Sequence, residues 1–230
     1  IEFDAGKLKQ LGFVALLSIV IQGIMILLGL ISSKEKIERV GVVFTNCGFV
    51  GIPLIRGVFG NEGVFYLMGY LVIFNILLWT YGYWRMSGSI NIKKIITNPN
   101  IIAVTLGIIV FCLPWTVPEF IARPIEMIGD TNTAMAMILL GILFANFDWK
   151  TVKQYWKRIL SFTLWRLAAT PFVNLIILAV IYYFCKGMAD SKMMFFVVFI
   201  CSACPAATSV PSLACVFDDD TDFASLAVSV

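Results

Sequence analysis

The groups able to do chemistry in this chain fall into two short polar interruptions of apolar sequence. The first is Thr45-Asn46-Cys47-Gly48-Phe49-Val50-Gly51-Ile52-Pro53 and the second Pro205-Ala206-Ala207-Thr208-Ser209-Val210-Pro211. Glycine and proline inside an apolar helix release backbone N–H and C=O groups that hydrocarbon cannot satisfy. Such a break belongs against protein or a water-filled cavity. A helix restarting after the break offers bare N–H groups and the positive end of its dipole, which suit an anion. Asn46, Thr45, Thr208 and Ser209 would add neutral hydrogen-bonding side chains there, while Gly51, Pro53 and Pro211 shape the breaks.

Arg166 is the cation set deepest in an apolar run. It lies eight residues past Arg158, roughly 12 Å along a helix. A charge at that depth marks a substrate path or a buried pair, or else bonds backbone carbonyls as a structural device; the residues leave both open. Arg56 lies one turn from Gly60-Asn61-Glu62-Gly63 and reads as snorkelling to that turn, whereas Asn75 could line the cavity or bond a neighbouring helix, glue between helices being the preferred reading.

Much chemistry is excluded. With no histidine, the chain has no Ser-His-Asp triad and none of the usual zinc sites. The six cysteines lie in or at the edge of apolar segments and act as small hydrophobes. Cys201-x-x-Cys204 has redox spacing without a second pair or a βαβ context. Asp218, Asp219, Asp220 and Asp222 lack the spaced ligands of a calcium loop and read as a solvated helix start. A net charge of +3 suggests no nucleic-acid partner.

The elements that must hold the two breaks are membrane spans. Apolar residues make up 60% of the 230 and charged residues 13%, against about 25% charged in a globular domain. Seven apolar stretches approach the roughly 20 residues needed to cross a bilayer: Leu8–Ile31, Val40–Phe59, Val64–Trp84, Pro99–Val117, Thr133–Phe147, Ile159–Phe184 and Met193–Phe217, with an eighth starting near Phe223. Lys34, Lys36, Arg39, Arg85, Lys93, Lys94, Lys150, Lys153, Lys157 and Arg158 fall in linkers on one side. Lys7, Lys9, Arg123, Lys186 and Lys192 fall on the other. The ten-charge side is expected to be cytoplasmic.

A shift of 158 residues superposes Pro53 on Pro211, Val58 on Val216, Phe59 on Phe217 and Phe65 on Phe223, with twelve identities in 72 ungapped pairs, where chance gives about five. Five spans separate the two starts, so the second copy is inverted, and inverted repeats with broken helices belong to secondary transporters. No Asp or Glu falls inside the seven stretches, which favours an anionic substrate over a cation. The fourth and fifth stretches lack partners in the first copy. Two spans are therefore expected before Ile1, and the last is expected to continue past Val230.

Taken in order, the motifs resemble the auxin efflux carrier family. They are Phe44-Thr45-Asn46, Gly51-Ile52-Pro53-Leu54, Phe59-Gly60 with Glu62-Gly63, Asn98-Pro99-Asn100-Ile101-Ile102-Ala103, Ala136 to Gly141, Arg166 with Pro171, and Pro205-Ala206-Ala207. The resemblance implies a ten-helix inverted-repeat fold whose fourth and ninth helices are broken and crossed. It also implies an Asn seven residues before the crossover proline that holds a substrate carboxylate; Asn46 and Pro53 match. Bacterial members are associated with malonate, malate and similar acids. Thr45 stands where the plant carriers have proline, Pro205 and Pro211 are one residue further apart than in the plant pattern, and Ala134 falls where many members have proline. These departures make auxin itself an unexpected substrate.

The expectation is an all-α polytopic membrane protein with a 5+5 inverted-repeat fold and two crossed discontinuous helices, about seven and a half of its ten helices being present. Residues 1–90 hold the last three helices of the first repeat and 91–230 the second repeat. The expected function is secondary transport of a small organic anion across the cytoplasmic membrane by alternating access, without a cofactor or enzymatic activity. Asn46, Thr45, Gly51, Pro53, Thr208, Ser209, Pro211 and Arg166 form the candidate substrate site. H+ or Na+ is the candidate coupling ion, the lipid bilayer the surrounding partner, and a homodimer the candidate assembly. The alternatives are a sodium-coupled symporter of the bile-acid type, a thiol-redox protein using Cys201 and Cys204, and a non-transporting scaffold.

Overall fold

A computed structural model describes residues 5–88, 97, 99–112, 117–145 and 149–229. The first apolar stretch is helix α1 (Ala5–Ser32). Ser33 ends it: its carbonyl accepts from Arg39 Nε at 2.6 Å and its hydroxyl from the Glu35 N–H at 3.0 Å, which turns the chain into α2 (Lys36–Val43). At Phe44 the backbone becomes extended, with φ −96° and ψ 126°. Helix resumes in a wide π-type turn, Cys47–Gly51, that runs into α3 (Ile52–Leu77). The second stretch is thus interrupted as expected, but its helix starts at Lys36 rather than Val40.

The turn expected over Gly60–Gly63 contracts to one residue. Gly60 takes φ 64° and ψ −158° inside α3, a backbone state that a side chain resists. After α3 come a second π turn, Leu78–Gly82, and α4 (Tyr83–Ser87).

The next helices are α5 (Pro99–Cys112) and α6 (Glu119–Ala145). The latter begins well before the expected Thr133. Its first half is polar, and the Pro118 carbonyl seeds it by accepting from the N–H groups of Ile121 and Ala122 at 2.9 and 3.0 Å. Apolar run length passes over such a segment.

A long rod follows, with α7 (Trp149–Thr163) and α8 (Thr170–Cys185) joined by a π turn at Leu164–Ala169. Pro171 explains the widening: it lacks an N–H, and its ring would strike the carbonyl one turn back. The chain ends in α9 (Ser191–Ala203), α10 (Ser209–Val216) and α11 (Thr221–Ser229), with a break between α9 and α10.

The fold is all-α. Among the described residues Gly6–Ser32, Cys47–Ser87 and Lys153–Cys185 are long and apolar enough to cross a membrane, with the shorter apolar helix Ser191–Ala203 beside them. The core lies where α1, α3 and α9 pack. Val14, Leu17, Ile21 and Met25 form one stripe of α1, against Tyr66, Tyr70 and Phe74 of α3 and Met194, Val197 and Val198 of α9. Gly69 lets α1 and α3 close up, since a Cβ there would meet Leu11 and Val14 at 3.2 Å. Large apolar side chains such as Leu16, Leu27, Phe172 and Phe184 face outward, as lipid contact requires.

Polar networks tie the bundle at each end. At one, Gln10 donates to Asp190 at 3.2 Å, and the single hydroxyl proton of Tyr66 is shared between Gln10 Oε1 at 2.9 Å and Asp190 at 3.2 Å. At the other, Arg158 pairs with Glu38 and, at 2.6 Å, with Asp220, while its guanidinium lies 4.2 Å from the Phe223 ring centre. The boundary expected between residues 90 and 91 lies outside the described residues.

Candidate functional site

The two breaks meet. The Asn46 N–H donates to the Pro205 carbonyl at 2.8 Å, and the Ala207 N–H donates to the Phe44 carbonyl at 3.0 Å. Thr45 and Ala206 thus form an isolated antiparallel bridge where the two interrupted helices cross. Backbone groups freed in one break are satisfied by the other, as a dry interior demands.

The shift of 158 sets Asn46 beside Cys204 in sequence, whereas at the crossing Asn46 lies against Pro205 and Phe44 against Ala207. Among the described residues a π turn, Cys47–Gly51, directly precedes the helix of Pro53, and none directly precedes that of Pro211.

Two helix C-termini end at the crossing, where their carbonyls concentrate negative charge. Arg166 faces them. It is 1% exposed, and its Nη1 donates to Val42 O at 2.8 Å. Its Nη2 donates to Ser202 O at 2.7 Å and to Cys204 O, which also accepts from Nε at 3.1 Å. One planar fork therefore caps α2 and α9 together, a task suited to guanidinium. Of the two readings left open for Arg166, the geometry is that of the carbonyl bond.

The N-terminal ends open on a cavity of about 330 Å³. Its wall includes Thr45, Asn46, Gly48 and Phe49 from the first break and Ala207, Thr208 and Ser209 from the second. Phe74, Asn75 and Trp79 close the far side, with Ile52, Leu71 and Leu78. Among the described residues the Asn46 side chain makes no hydrogen bond to protein. The Asn46 carbonyl accepts from Val50 and Gly51 at 3.0 and 3.3 Å, so the earlier N–H groups of that turn have no acceptor within their own helix. Among the described residues no basic side chain lines the cavity. An anion there would be held by backbone dipoles and neutral donors, an arrangement known from broken transporter helices.

A family model described as membrane transport protein matches residues 3–91 and 84–230. The chain belongs to that family, the auxin efflux carriers. It is also similar to auxin efflux carrier component 8 of Arabidopsis thaliana, with 40% identity over 58 residues. That segment is 24% of this chain and spans 16% of the length of the relative. No solved structure matches the chain.

In this membrane transport family member the sequence-derived site residues divide. Thr45, Asn46, Thr208 and Ser209 share the cavity wall. Gly51, Pro53, Pro211 and Arg166 do not line it. Gly51 packs against Cys47 and Cys204, where a Cβ would lie 3.5 Å from Cys47 Cβ and 3.7 Å from Cys204 Sγ. Pro53 starts α3 on an exposed face, and Pro211 is buried in the first turn of α10.

Asn75 departs from its expectation as interhelical glue: it donates to Leu71 O of its own helix at 2.9 Å and lines the cavity. Trp79, Phe49 and Phe74 were missed as wall residues because an aromatic in an apolar run carries no signal of which face it takes. Cys201 and Cys204 are free, buried thiols.

Proposed function

We propose that this chain belongs to a secondary transporter that moves a small organic anion, a mono- or dicarboxylate such as malonate or malate, by alternating access. The carrying observation is the cavity of about 330 Å³ at the N-terminal ends of two crossed, interrupted helices, with the Asn46 side chain in its wall. Its volume suits a ligand at the small end of the range for binding pockets. Asn46 and Thr208 donate to the carboxylate, Thr45 and Ser209 assist, and Pro53, Pro211 and Gly51 fix the shape of the crossing. Arg166 keeps the opposing carbonyl ends neutralised, so the positive ends dominate the field felt by the substrate. Phe49, Phe74 and Trp79 receive the carbon body of the anion.

The same reading makes residues 1–90 and 91–230 members of two inverted repeats, sets the protein in the cytoplasmic membrane and assigns H+ or Na+ as coupling ion to a homodimer. Membership in a family of membrane transport proteins supports a transport role over an enzymatic one.

The deciding experiment is uptake of labelled malonate, malate and longer monocarboxylates into proteoliposomes carrying the full-length protein, under imposed proton or sodium gradients. Saturable uptake of one acid, driven by one gradient, is expected. Flux no greater than in protein-free liposomes for every acid would overturn the reading.

A further inference from the structure

A second cavity lies away from the crossing, in the outer groove between α8 and α9. It holds about 300 Å³ and its walls are almost wholly carbon. Leu175, Leu178 and Tyr182 form its stripe on α8; Phe196 and Phe199 continue from Lys192 on α9. Both stripes follow helical spacing, so the groove runs along the helix axes for about 10 Å between Lys192 and Phe199. Phe196 is 54% exposed and Leu175 48%, so one side of the trough is uncovered among the described residues. Its polar end carries a cation and its deep end none.

That cation is available. Among the described residues Lys192 joins no ion pair. The acid of its own turn, Asp190, is occupied by Gln10 and Tyr66. Lys186 stands in the same turn, over the Tyr183 ring at 4.9 Å. The Gln10 bonds to Ala189 and Asp190 bring the start of α1, with Lys7 and Lys9, to the same end of the bundle. An apolar trough of about ten ångströms with Lys192 at one end, and Lys186, Lys7 and Lys9 at the same end of the bundle, suits a chain with an anion at its head.

We propose that the α8–α9 groove binds one anionic phospholipid, with an acyl chain along Leu175, Phe196 and Phe199 and the phosphate on Lys192. The site is distinct from the crossover cavity, and none of its residues lines that cavity.

The test is native mass spectrometry of the full-length protein released from mixed micelles containing phosphatidylglycerol or phosphatidylcholine with identical chains. The wild type should retain one phosphatidylglycerol in preference to phosphatidylcholine. Lys192→Gln, an exposed change that leaves the fold intact, should cut that preference by about fivefold. Phe196→Trp should reduce retention of both lipids by filling the trough. Glycerol phosphate without chains should not displace the bound lipid. Equal retention of the two lipids, an unaltered preference in Lys192→Gln, displacement by glycerol phosphate, or a lipid-free dimer joined through this groove would each overturn the proposal.

Discussion

The backbone N–H of Asn46 donates to the carbonyl of Pro205 at 2.8 Å, and this bond sets the geometry of the candidate site. It fixes Asn46 at the bridge, with its own carbonyl closing the first turn of the restarted helix and its side chain in the cavity wall. One residue therefore joins the crossing through its main chain and faces the cavity through its side chain.

Because those roles are separate, Asn46→Ala should remove uptake of the transported acid while leaving the crossing intact. Proteoliposome flux is expected to fall to the protein-free level, with unchanged yield and melting temperature in detergent. Wild-type flux in this variant would remove Asn46 from the site.

Arg166→Leu should be among the most damaging single changes. It strands the carbonyls of Val42, Ser202 and Cys204 in the interior. Each lost bond to a charged donor is worth about 1.5–3 kcal/mol. Arg166→Lys keeps the charge but loses the fork and should fall between the two. Melting of the purified proteins, followed by size-exclusion fluorescence, gives the order. A Leu variant as stable as wild type would contradict the capping role.

Close packing of α2 on α7 makes Gly41 intolerant of bulk. A Cβ there would come within 2.8 Å of the Phe162 ring. Gly41→Val should cost about 1–3 kcal/mol from overpacking. Phe162→Leu should restore part of the loss, because it clears the same space. Additive rather than compensating effects on melting temperature would show that the two do not share a contact.

The Arg158 network is half-exposed and its contribution should be modest. A double-mutant cycle of Arg158→Gln with Asp220→Asn should give a coupling of about 1 kcal/mol or less, shrinking as salt is added. A salt-insensitive coupling would place the pair in a drier setting than its 30% and 23% side-chain exposures describe.

The interrupted helices were legible because glycine and proline inside long apolar runs are local signals. Asn46, Thr45, Thr208 and Ser209 were legible for the same reason, as polar groups beside those breaks. Of the two roles open to Asn75 the less favoured, the cavity wall, is the one observed, because its polarity is apparent in one dimension but its direction is not.

Composition and periodicity alone determined that this chain is all helical, that it belongs in a membrane and that two of its helices break. Those properties follow from hydrophobicity and backbone chemistry read residue by residue. Only the tertiary structure decided that the breaks bond to each other, that Arg166 serves carbonyls, and which aromatics wall the cavity. These depend on helix rotation and on contacts between residues far apart in sequence, where a fraction of a turn exchanges one neighbour for another.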